Sequence, residues 1–128
     1  MRVLDPEGGP HASGAYVPGI SAGPFVFVSG QGPLDPVTGE IVGDDVATQT
    51  RATLDNVARV LAAAGAGLRD VVRVDAYLAD IDQFSAYDEA FRTAFGDRLP
   101  TRTTVGARLG GIEVEITAVA YRGETDPA

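Results

Sequence analysis

The chain has 128 residues and a formal net charge of −8, from ten basic and eighteen acidic side chains. That length fits one domain over residues 1–128, which would bury roughly 68% of its unfolded surface without a covalent staple. The absence of cysteine excludes a thiol nucleophile, a cysteine-based zinc site and a disulfide framework. The acidic field repels polyanions, and the basic residues are scattered singly from Arg2 to Arg122, so nucleic acid is not an expected partner. The first residues lack the basic segment and apolar run of a secretory signal, and no apolar stretch approaches the roughly 20 residues that span a bilayer. A soluble, cytoplasmic protein is expected.

Residues 1–24 are rich in Gly and Pro and carry little periodicity. Phe25-Val26-Phe27-Val28 reads as a buried strand, stopped by Ser29-Gly30-Gln31-Gly32-Pro33. Asp35-Pro36-Val37-Thr38-Gly39 is a turn, with Pro fixing φ and Gly free to take a positive one. A helix is predicted from Asp44 or Asp45, either of which can cap the first free N–H groups. Val46, Thr50, Leu54, Val57, Leu61 and Ala64 recur every three or four residues as its buried face, and Gly65 is placed to end it.

Val72, Val74, Ala76 and Leu78 then alternate with Arg73, Asp75 and Tyr77, the period of a half-buried strand. Asp80 with Gln83 resembles a capping box for a second helix, whose stripe is Phe84, Tyr87, Phe91 and Phe95 and whose end is Gly96. Strands are predicted over Arg102 to Arg108 and Ile112 to Tyr121. In the last of these Ile112, Val114, Ile116, Ala118 and Ala120 alternate with Glu113, Glu115 and Thr117. The tail from Gly123 is polar and expected to fray.

Two helices cannot cover both faces of one sheet, so both are expected on the same face. The other face mixes Glu113, Glu115 and Thr117 with apolar positions, and self-association is the simplest way to cover it. His11, the single histidine, has no second ligand type beside it, and no metal role is expected. Asp80 and Asp82 read as capping acids.

Four blocks together carry a family resemblance. They are Gly14-Ala15-Tyr16; Phe27-Val28-Ser29-Gly30-Gln31 with Pro33-Leu34-Asp35-Pro36 and Thr38-Gly39-Glu40; Gln49-Thr50 with Leu54-Asp55-Asn56; and Pro100-Thr101-Arg102-Thr103-Thr104-Val105 followed by Val114-Glu115-Ile116. They resemble the Rid family of small imine deaminases, formerly called YjgF, over nearly the whole chain. The resemblance implies an α+β, chorismate-mutase-like fold with a mixed six-stranded sheet, two helices on one face, and a homotrimer with sites between subunits. It implies hydrolysis of reactive 2-imino and enamine acids, such as 2-aminoacrylate and 2-iminobutanoate, to 2-keto acids and ammonia, with no cofactor and no metal.

Carried over by the resemblance, Arg102 anchors the substrate carboxylate and Glu115 positions the attacking water. Tyr16, Ser29, Gly30 and Thr104 line the site. The chemistry suits these residue types. A guanidinium fork matches a planar carboxylate through two parallel hydrogen bonds, and a carboxylate can hold water and accept its proton. Relatives carry an asparagine in the second helix where this chain, counted back from Arg102, has Ser85. They carry a cysteine where it has Thr104, and a connection about two residues longer after Val105. Two other readings stand beside the deaminase. One is a protein of the same fold that binds or transforms another small carboxylate in specialised biosynthesis. The other is a ribonuclease or translation inhibitor, against which the acidic balance and single histidine speak.

Overall fold

The computed structural model describes residues 1–123. The tail expected to fray therefore lies, beyond Gly123, outside the described residues. These form six strands, β1 (Arg2–Leu4), β2 (Gly19–Ala22), β3 (Phe25–Gln31), β4 (Val71–Leu78), β5 (Thr101–Gly106) and β6 (Val114–Tyr121), and two α-helices, α1 (Val46–Ala62) and α2 (Phe84–Phe95). The strands make one sheet in the order β1-β2-β3-β6-β4-β5. Only β4 and β5 run parallel; the other pairings are antiparallel.

One face of this mixed sheet is the core. Val26, Val28, Val74, Ala76, Leu78, Val114, Ile116, Ala118 and Ala120 are all buried and pack in one cluster with Leu54, Val57 and Leu61 of α1 and Tyr87, Phe91 and Phe95 of α2. Both helices thus lie on the same face, as expected. Asp45 caps α1 by accepting from the Thr48 amide at 2.7 Å. At its other end Arg2 donates to the Ala63 carbonyl at 3.0 Å and Arg122 donates to that of Ala64, which satisfies carbonyls the helix leaves free. Gly65 and Gly96, at φ 71° and 67°, turn the chain away where each helix stops. No helix among the described residues is long and apolar enough to cross a membrane.

Several expectations need correction. The first 24 residues hold two short strands. Phe25–Val28 is not buried throughout: Val26 and Val28 face the core, whereas Phe25 and Phe27 are 40% and 45% exposed on the other face. In β4 it is Val71 that is buried and Val72 that is exposed, because an irregularity between Val71 and Arg73 shifts the phase against β6. Asp80 caps a short 3₁₀ turn over Ile81–Gln83 by accepting from the Asp82 amide; α2 begins only at Phe84, after Gln83, with no side-chain cap bond. Phe84 is 37% exposed rather than core. β5 stops at Gly106 and β6 starts at Val114, so Arg108 and Ile112 lie in the connection between them.

Candidate active site

Register decides which face each candidate residue occupies. Arg102 and Thr104 on β5 pair with the buried Val74 and Ala76 of β4, so their side chains share the helix face. Glu115 on β6 pairs with Tyr77, in the row that also contains Val105, on the open face.

On the helix face Arg102 is built in tightly. Its guanidinium carbon lies 4.6 Å from the centroid of the Phe91 ring, 5.1 Å from that of Tyr87 and 5.4 Å from that of Phe84. These are cation–π distances. Its Nη2 donates to Asp88 Oδ1 at 2.8 Å. The Tyr87 and Thr104 hydroxyls lie 3.1 Å apart and share a hydrogen bond. Burial raises the Tyr87 pKa above its ordinary value, against the hydrogen bond with Thr104 and the nearby Arg102 charge, so Tyr87 is a neutral donor or acceptor at physiological pH. Arg102 opens on a cavity of about 290 Å³ that Asp88, Phe91, Arg92, Leu99 and Pro100 also line.

A second group forms around Glu115. A Cβ built on Gly30 would stand 2.9 Å from Glu115 Oε2 and 3.2 Å from its carboxyl carbon. The backbone of Gly30 thus comes as close to this carboxylate as only a glycine allows. Tyr16 and Gly30 line a cleft of about 410 Å³, together with His11 and the turn Asp35–Gly39. Hydrogen bonds from Ser13 lower the Tyr16 pKa, while burial and the Glu115 charge oppose them. The Ser29 hydroxyl donates to the Val17 carbonyl at 2.6 Å, which leaves it acceptor capacity only.

The loop that walls this cleft is clamped by α1. Buried Asn56 donates from Nδ2 to the carbonyls of Gly32 at 3.0 Å and Leu34 at 2.7 Å, and its Oδ1 accepts from Arg59 at 2.8 Å. Buried Gln49 donates to the Gly43 carbonyl at 3.0 Å and accepts from the Glu113 amide at 2.8 Å.

Within one chain, then, Tyr16, Gly30 and Glu115 come together, and Arg102 and Thr104 come together, but the two groups lie on opposite faces of the sheet. Asp88 escaped the sequence reading. Counting back from Arg102 led to Ser85, an exposed residue in the first turn of α2, yet the helix residue that meets the guanidinium is Asp88. The available signal was helical spacing: Asp88 falls four residues after Phe84 and three before Phe91, on the face that carries the rings under Arg102.

A family model described as Endoribonuclease L-PSP matches residues 7–122. The chain belongs to this family, also called the Rid or YjgF family. It is 42% identical to a RutC family protein of Pyrococcus horikoshii, over 94% of this chain and 98% of that protein. It is 37% identical to the 2-iminobutanoate/2-iminopropanoate deaminase of Escherichia coli, again over 94% and 98% of the two chains. Among solved structures, Escherichia coli TdcF with bound serine superposes with a TM-score of 0.89 at 35% identity, covering 95% of this chain and 99% of that one. This Rid chain therefore shares its fold, nearly end to end, with relatives named as deaminases of reactive intermediates.

Proposed function

We propose that this Rid protein is a homotrimeric hydrolase that converts small 2-imino and enamine acids to 2-keto acids and ammonia. The observation that carries the reading is the setting of Arg102. Three rings and Asp88 hold the guanidinium in place. Asp88 takes one hydrogen of Nη2, and because that nitrogen carries two, one of the two donor forks stays available to a ligand carboxylate. The names of the relatives support the chemistry.

The reaction follows from the residues. Arg102 anchors the carboxylate of the 2-imino acid. Glu115, from a neighbouring subunit, orients water and accepts its proton as the oxygen attacks the imine carbon. The carbinolamine then expels ammonia and leaves the keto acid. Tyr16, Ser29, Gly30 and Thr104 shape the pocket. Opposite faces keep Arg102 and Glu115 of one chain apart, which supports a site completed by a second copy. The test is decay of imines generated in place by an amino-acid oxidase, followed as ammonia release. Accelerated hydrolysis is expected; a panel of imines decaying at the rate seen without protein would overturn the reading.

Another small carboxylate is the second reading, and the serine in Escherichia coli TdcF favours it. It predicts binding of small amino or keto acids without imine turnover. The ribonuclease reading has the description of the family model behind it and the charge of −8 against it. RNA cleavage that persists to high purity would be its mark.

A further inference from the structure

The anchor arginine has two charged companions. Asp88 sits on it at 2.8 Å, and Arg92, one helical turn further along α2, reaches Asp88 Oδ2 at 3.9 Å. All three line the same cavity of about 290 Å³, whose other walls are the apolar Phe91, Leu99 and Pro100. Two arginines and one aspartate leave this subsite a single positive charge, which one carboxylate neutralises.

We propose that Asp88 is a specificity-determining residue that restricts the site to acids with one carboxylate and a small uncharged side chain. The proposal rests on Arg102 being the carboxylate anchor. A second anionic group on the ligand would have to enter an already neutral pocket, beside the Asp88 carboxylate and against apolar walls. That placement costs Coulomb repulsion and desolvation with no compensating partner. Arg92 offsets that cost only weakly and at long range, because its side chain is 65% exposed and already leans on Asp88. The carboxylate thus does two things: it aims the guanidinium, and it uses up the positive charge that a dicarboxylate would need. An asparagine at the same position would keep the hydrogen bond to Nη2 and lose the charge. Selection by Asp88 is therefore separable from its support of Arg102.

The experiment is titration calorimetry on the assembled protein with two keto acids, 2-oxobutanoate with one carboxylate and 2-oxoglutarate with two. The wild-type protein should prefer 2-oxobutanoate by at least about tenfold. Asp88→Asn should reduce that preference by at least about tenfold, mainly through tighter 2-oxoglutarate binding, and high salt should narrow the gap between the two proteins. Arg92→Gln carries the test if Asp88→Asn does not assemble: it leaves the subsite neutral and should weaken 2-oxoglutarate more than 2-oxobutanoate. If both acids bind and their ratio is the same in wild type and variants, Asp88 does not select and Arg102 remains the anchor. If neither acid binds the wild-type protein, the anchor falls and this proposal with it. Imine turnover, measured separately, reports on the deaminase reading whatever the calorimetry shows.

Discussion

Arg102, Glu115 and Gly30 carry the sharpest residue-level expectations. Arg102→Lys keeps the charge and loses both the fork and the flat stack on Phe91, Tyr87 and Phe84. Steady-state kinetics should show kcat/KM falling by at least about tenfold, or roughly 1.4 kcal/mol; unchanged turnover would reduce Arg102 to a strand-edge charge. Glu115→Gln keeps the shape and loses the proton acceptor, so the loss should fall on kcat more than on KM, by about 10²-fold at the low end of general-base effects. Gly30→Ala approaches the same carboxylate from the other side. The added methyl would meet the mobile end of Glu115 at 2.9 Å, with no backbone in its way. Displacement of the carboxylate is therefore expected, with a clear drop in turnover and little change in thermal stability. A melt that collapses while the residual enzyme keeps its full turnover would contradict that account.

At the scale of elements, the two buried amides of α1 connect the core to the cleft. Asn56→Ala would strip the hydrogen bonds from the Gly32 and Leu34 carbonyls and free Arg59. The expected cost is about 2 kcal/mol by chemical denaturation at fixed protein concentration, with hydrogen exchange rising first in the loop from Gly32 to Gly43. Both helices were legible in the sequence because their apolar residues recur at helical spacing over three turns or more. β1 and β2 were not: three and four residues are too few to establish a period. In β4 the alternation held for Val74, Ala76 and Leu78, and only Val72 was misplaced, because an irregularity beside it breaks the pattern that a sequence reading presumes. Asp88 was missed for a related reason. A count along the chain assumes a fixed length for the link from α2 to β5, whereas the contact with Arg102 depends only on where the helix axis lies over the strand.

For the whole molecule, the open sheet face is the feature to be explained. Register puts Val3, Ile20, Phe27 and Val119 in one row across it, with Phe25 and Tyr121 beside them and Val105 on the far edge. Val3 is 54% exposed and Val105 43% in the single chain, which is a large apolar cost to leave in water. The proposed trimer would cover this face. Light scattering coupled to size exclusion should report about three times the 13.2 kDa chain mass; a monomer at micromolar concentration would sink both the assembly and the shared site.

The placement of Arg102 and Glu115 on opposite faces has a genetic consequence. If each site draws its arginine from one subunit and its glutamate from the next, two inactive alleles can rescue one another. Co-expressed in equal amounts, an Arg102→Ala chain and a Glu115→Gln chain should assemble at random, and about a quarter of the sites would then pair an intact arginine with an intact glutamate. Activity near that fraction in the mixed oligomer, far above that of either parent, would show that the site spans two chains. No recovery from a mixed oligomer of verified composition would overturn the shared site.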